Sequence, residues 1–243
     1  MADTKISALA SLAGSGVEIG ADVLAIVDDS VTTTKKILVS NLLGAAFTTA
    51  GDIAQASAAG VAARLGIGTA RQVLTVNAGA TALAYQNPIT LGTLDTTTGG
   101  TSIAFGSLPA GLREITMSWV GLSASGTSQW IVQIGDAGGI EATGYEANAG
   151  NRVIEVNSTI GFPLLGQAPV AASVYSGSLT LILQDAATFM WVVKSGNNAP
   201  VGGTVSHFQG RKALSAVLTQ IQITTTNGSD TFDVNGGVNI AYQ

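Results

Sequence analysis

The chain has 243 residues, with 46% hydrophobic and only 10% charged residues, a net charge of −5 and no cysteine. Without cysteine, disulfides and thiolate metal sites are excluded. With no basic cluster larger than Lys35-Lys36 or Arg211-Lys212, the Lys/Arg footprint that phosphate neutralisation demands is missing, so no nucleic-acid partner is expected.

Residues 3–12 carry Ile6, Leu9 and Leu12 at three-residue spacing, which predicts a short helix or ordered arm ended by Gly14, Gly16 and Gly20. They lack a basic segment followed by an apolar run, so no secretory leader is expected. Val23–Val27 and Lys36–Val39 read as strands around a polar turn, a hairpin over 22–39. Ser40 can cap a helix from Asn41 to Phe47. Residues 49–65 give a further helix signal: Asp52 as cap, then Ile53, Ala56, Ala59 and Ala63 at three- to four-residue spacing, with Gly66 and Gly68 to end it. Such a small-residue face buries little area by itself and gains most by packing against copies of itself. Gln72–Val76 and Leu83–Tyr85 form a second hairpin around Asn77–Ala80, and Asn87-Pro88 closes the front part.

Texture changes there. Phe47 is the only Phe or Trp before residue 88, whereas all three Trp and five of the six Phe follow it, so 89–243 is expected to hold the aromatic core. β-type runs recur at 101–106, 113–121, 129–135, 152–158, 178–184, 189–195, 203–208, 219–226 and 231–242, with Gly, Asn or Pro between most of them. Short strands at this spacing predict an antiparallel β-sandwich or jelly-roll-like head. Leu179–Leu183 and Met190–Val193 are apolar on both sides and belong in central strands or at a subunit interface. No run reaches the length of a membrane span.

Little of this resembles catalytic machinery. His207 is the single histidine, so a Ser-His-Asp triad has one possible base, and a structural or surface role is expected. Asp136, Glu141 and Glu146 cluster around Gly138-Gly139; paired carboxylates are what a glycosidase needs, but a solvated loop making ion or receptor contacts is the expectation. Asp230, Asp233 and Asn235 place oxygens at a strand-turn without the twelve-residue calcium loop, which favours hairpin geometry. The glycines around 66 and 135–139 fit no phosphate-binding motif, and Asn157-Ser158-Thr159 matches the glycosylation pattern only formally. Trp119 and Trp191 lie inside apolar strands and are expected in the core. Trp130, at a strand start, and Tyr145, in a Gly-flanked loop, are the rings placed to stack on a sugar. Tyr145, Trp130, Asp136 and Glu141 are therefore the candidate receptor contacts, with no enzyme activity, cofactor or metal expected.

Four stretches carry a family resemblance. DTKISALASL, ADVLAIVDDS and TKKILVSNLL (3–43) resemble the N-terminal module of tailed-bacteriophage virion proteins. ARQVLTVNAGATALAYQNP (70–88) is similar to a hairpin linker of phage tail fibres, with Arg71 where Gly is commoner. ITMSWVGLSASGTS and QIGDAGGIEATGY, within 112–145, resemble a fibre head, and LTQIQITTTNGSDTFDVNGGVNIAYQ (218–243) resembles its closing strands. The resemblance implies a homotrimeric virion appendage. Its parts would be a docking module (1–45) of mixed α/β structure that joins other virion proteins of the tail, baseplate or capsid, a helix-and-hairpin shaft (46–88), and a head (89–243) that meets a host surface glycan or protein. A tail fibre is the leading expectation. A head fibre decorating the capsid, a polysaccharide-degrading fibre and a baseplate adaptor without receptor are the alternatives.

Overall fold

A computed structural model describes residues 23–28, 33–38, 47–58, 61–77, 79–96, 98–151, 154–200 and 205–243. Among them the chain is β throughout, without a helix, and it divides into two compact units that meet in sequence at Pro88 and Ile89. The helix expected at 3–12, and the one expected to begin at Asn41, lie outside the described residues.

The described residues of the first unit form two-stranded antiparallel sheets. β1 (Val23–Asp28) pairs with β2 (Thr33–Leu38) in the register Val23↔Leu38 to Asp28↔Thr33. This is the hairpin expected over 22–39, with its second strand starting earlier because the β-branched threonines join it. β3 (Ile53–Ala58) pairs with β4 (Val61–Leu65), Ile53 opposite Leu65. These strands occupy the segment expected as a helix, and the helical reading is corrected. Small residues carry an ambiguous periodicity: Ile53, Ala56 and Ala63 fit a helix face, yet Ile53, Ala54 and Gln55 alternate half-buried, exposed, half-buried as a strand does. Asp52 decides the outcome. A helix-capping carboxylate accepts from N–H groups two and three residues ahead. Asp52 instead accepts from behind, from Thr48 N at 2.9 Å and Thr49 N at 2.8 Å. It also accepts across the hairpin mouth, from Ile67 N at 3.1 Å and Arg64 Nε at 2.6 Å.

β5 (Val73–Val76) and β6 (Leu83–Gln86) form the second expected hairpin, Val73 opposite Gln86. Asn77 shapes its turn: its Oδ1 accepts from Thr81 N at 2.9 Å, and its backbone N–H donates to Ala82 O at 2.9 Å. Arg71, just before β5, has φ 72°, a left-handed conformation that glycine adopts more freely.

The second unit begins with β7 (Thr90–Leu91), β8 (Ser102–Phe105), β9 (Glu114–Ala124) and β10 (Trp130–Asp136). β11 (Gly139–Ile140), β12 (Tyr145–Gly150), β13 (Glu155–Ser158) and β14 (Phe162–Pro163) follow. β15 (Tyr175–Asp185), β16 (Met190–Pro200), β17 (Ser206–Ala213), β18 (Gln220–Thr225) and β19 (Phe232–Tyr242) complete it. An eight-stranded antiparallel sheet runs β13-β12-β17-β16-β15-β9-β19-β7. A five-stranded sheet runs β11-β10-β18-β8, with β14 also on β10. The two-sided apolar strands β15 and β16 lie at the centre of the larger sheet, as their composition requires. Buried side chains of both sheets belong to one core, including Met117, Trp119, Leu179 and Leu181 from the larger sheet and Trp130, Ile134, Ile221 and Ile223 from the smaller. Trp119 and Trp191 are buried as expected, and Trp119 Nε1 donates to Asn198 Oδ1 at 3.0 Å. No described helix is long and apolar enough to cross a membrane.

Candidate functional site

The structure withdraws Tyr145 and Trp130 from the surface. The loop expected around Tyr145 is the strand β12, and strand alternation turns its ring inward, leaving it 1% exposed. Trp130 is fully buried in edge-to-face contact with Tyr175 (centroids 4.9 Å apart) and Phe232 (5.6 Å). Both are core residues, closed off from the surface on which a receptor contact was expected.

The expected carboxylate cluster is also committed internally. Asp136 is buried; its carboxylate accepts from the Ser215 hydroxyl at 2.5 Å and from Gly138 N at 2.7 Å, which hold it below the ordinary carboxylate range. Glu141 accepts from Ser215 N at 2.7 Å and pairs with the buried Lys212 ammonium. Burial pushes its carboxyl up, but Lys212 and Ser215 together outweigh this and it titrates below its ordinary value. These two carboxylates pin the segment after β17 to the β10–β11 turn; the solvated loop expected of them is corrected. Asp230 serves its hairpin, accepting from Ser128 N at 3.0 Å and Asn227 Nδ2 at 2.8 Å. The described residues hold no group of three or more His, Asp or Glu side chains suited to a metal ion.

The surface that remains available is the outward face of β13, β12 and β17. Alternation turns exposed Glu146 and half-buried Asn148 and Gly150 outward on β12, and exposed His207, Gln209 and Arg211 outward on β17, while their neighbours Tyr145, Ala149, Phe208 and Lys212 turn inward. Register sets these residues in rows. Glu146 opposes Arg211, Asn148 opposes both Gln209 and Asn157, and Gly150 opposes both His207 and Glu155. Adjacent strands lie about 4.8 Å apart, so Asn157, Asn148 and Gln209 form a file of amides across three strands. Arg211 closes the first row by donating to Glu146 from Nη2 at 2.8 Å and Nε at 3.1 Å. The missing side chain of Gly150 leaves a notch between Glu155 and His207.

Two open hollows occupy this face. One, of about 590 Å³, centres on the Gly150 notch; the other, of about 720 Å³, extends past the Glu146–Arg211 pair to Val192 and Val193. Asn148 and Gln209 line both, so the amide file is the sill between them. Each volume lies in the range of small-ligand sites. The face offers hydrogen-bond donors and acceptors in a shallow groove with a largely cancelled charge.

Of these residues, His207 was expected in a structural or surface role, and it is exposed on β17. Asn148 and Gly150 were hidden because β12, with sequence YEANAG, carries few strand-forming residues.

Comparison of the chain with protein-family models, with curated proteins and with solved structures finds no match.

Proposed function

We propose that this protein is a structural subunit of a bacteriophage virion: a homotrimeric tail fibre whose near end joins the particle and whose head adsorbs to the host surface. In this reading residues 1–45 dock, 46–88 form a shaft shared by three chains, and 89–243 form a β-sandwich head. The common core drawn from both sheets supports the sandwich.

The observation that carries the trimer is the distribution of exposed apolar side chains. Of the fifteen large hydrophobics exposed among the described residues, eight lie between Ile67 and Leu94, so the excess is local to the proposed shaft and the start of the head. Val73, Leu74 and Val76 on β5 are all exposed, and they point to both faces of the hairpin. An isolated two-stranded hairpin is marginal in water, and such a patch marks an interface. Three copies of the hairpin supply that cover symmetrically. The sequence resemblance supplies the setting, a virion fibre.

Antibodies against the chain should label purified virions and block their adsorption. Label at the tail supports a tail fibre, and label on the capsid supports the head-fibre alternative. Unlabelled virions overturn the reading. New reducing ends from host polysaccharide treated with the purified chain would replace it with the degrading-fibre alternative.

A further inference from the structure

We infer that the outward face of β13, β12 and β17 is a binding site for an uncharged polysaccharide, seated along the groove that crosses the Asn157–Asn148–Gln209 amide file and ends in the Gly150 notch. The inference rests on the host-adsorption reading only for the source of the sugar.

Three observations carry it. First, the amides are uncommitted. Several other amide side chains of this unit are used inside the protein: Gln133 donates to Ile160 O at 2.8 Å, Gln220 to Asp136 O at 2.6 Å and Gln222 to Gln133 Oε1 at 2.8 Å. Asn148, Asn157 and Gln209 have no such partner among the described residues, although Asn148 is half-buried in the groove floor. A carboxamide both donates and accepts, so a file of three matches the mixed donor-acceptor edge of sugar hydroxyls.

Second, charge selects against anionic ligands. Arg211 is held by Glu146, and Glu155 adds a carboxylate at the rim of the notch. A polyuronate or sulfated polymer meets no free cation among the described lining residues and a repelling anion. Third, the face is shallow and carries no exposed aromatic anchor among its described lining residues, unlike the hot spots of protein interfaces. A groove with these donors fits a chain of polar rings lying along the strands.

Gly150 provides a clean test. A Cβ built there meets Glu155 Cγ at 3.4 Å and Ile154 O at 3.6 Å, ordinary contact distances, so the backbone admits a side chain here and Gly150→Leu places one in the notch. Asn148→Ala with Gln209→Ala removes the sill and no intramolecular bond. Binding of the full chain to immobilised dextran, laminarin, galactomannan, alginate and polygalacturonate should show at least one neutral polymer bound and both anionic ones ignored. Each variant should lose about tenfold in affinity for that neutral polymer with its thermal midpoint unchanged. Equal binding by parent and variants, binding of the anionic polymers alone, or binding of none overturns the site. Adsorption to virion-sensitive cells is read in parallel. If parent and variants bind the polymers equally and also adsorb equally, the site falls and host adsorption stands. If the parent does not adsorb yet binds a neutral polymer through the notch, adsorption falls and the site stands.

Discussion

The Tyr145 hydroxyl accepts a hydrogen bond from Ile134 N at 2.8 Å and donates to Glu141 O at 2.9 Å. The first bond fills a gap in the smaller sheet. Along β10, β14 pairs with Ile131 and Val132, and β11 pairs with Gly135 and Asp136. Ile134 lies between these partners, and a side chain from the larger sheet takes the place of the missing strand. The tyrosine thus joins the two sheets, with its ring edge-to-face on Phe162 at 5.0 Å. Burial drives its phenol well above its ordinary range, so it stays a neutral donor at any working pH.

Tyr145→Phe should therefore destabilise the second unit by about 1–3 kcal/mol, since it strands a buried N–H while keeping the ring. Tyr145→Ala should cost about 3–5 kcal/mol because it adds a cavity. Urea titrations of the three proteins check this. Equal stability of Tyr145→Phe and parent would show that the hydroxyl contributes nothing to sheet joining.

The β3–β4 hairpin should be acid-sensitive through Asp52. Arg64 foremost, then the N–H groups of Thr49, Thr48 and Ile67, hold its carboxyl far below the ordinary 3.8, against opposition from burial. A depressed folded-state pKa contributes stability above the unfolded value, and that stability is lost as pH falls toward the folded value. Amide exchange at Ile53–Leu65 should thus be flat from neutral pH to about pH 4, apart from intrinsic rates, and protection should fall below it. Asp52→Asn should remove the acid step and lower protection at neutral pH. A hairpin equally protected in both proteins refutes the role given to Asp52.

How far the sequence disclosed this can be traced to particular residues. Val23–Val27, Gln72–Val76 and the nine β-type runs of the second unit carried branched and aromatic residues between turn formers, and each contains a strand among its described residues. Residues 53–65 were misread because alanine fits helix and strand spacing alike, and Asp52, which settles the choice, does so in part through Arg64, twelve positions away. Tyr145 was misread for the related reason that β12 is recruited by its neighbours β13 and β17 rather than by its own composition. The amide file is a property of register: Asn148, Asn157 and Gln209 are scattered in sequence and meet only when three strands pair.

Glu141 and Lys212 should respond unequally to loss of the partner. The Lys212 side chain is 6% exposed and lies over the Tyr145 ring at 5.5 Å, whereas the Glu141 side chain is 22% exposed. Removing the acid leaves the better-buried charge uncompensated, and breaking such a pair costs about 3–5 kcal/mol. Glu141→Gln should therefore destabilise more than Lys212→Met, whose hydrophobic stem keeps the packing and leaves a carboxylate that water reaches. Denaturant midpoints in the reverse order would mean that Lys212 is held by something other than this ion pair.

Substitution on β5 separates a trimer from a monomer. Leu74 and Val76 are 43% and 55% exposed in the single chain, and polar changes at exposed sites ordinarily alter stability by no more than about 0.5 kcal/mol. If these side chains are covered by two further copies of the hairpin, Leu74→Asp with Val76→Asp buries carboxylates at the threefold contact and carries a desolvation cost far above that limit. Light scattering of the parent should then give three times the chain mass, and the double variant should give the mass of one chain at the same concentration. The second unit provides the control. Its core lies wholly beyond Pro88, so its tryptophan fluorescence and urea midpoint should persist in the variant. A parent that scatters as a monomer removes the shared shaft, and a double variant that remains trimeric moves the contact away from β5.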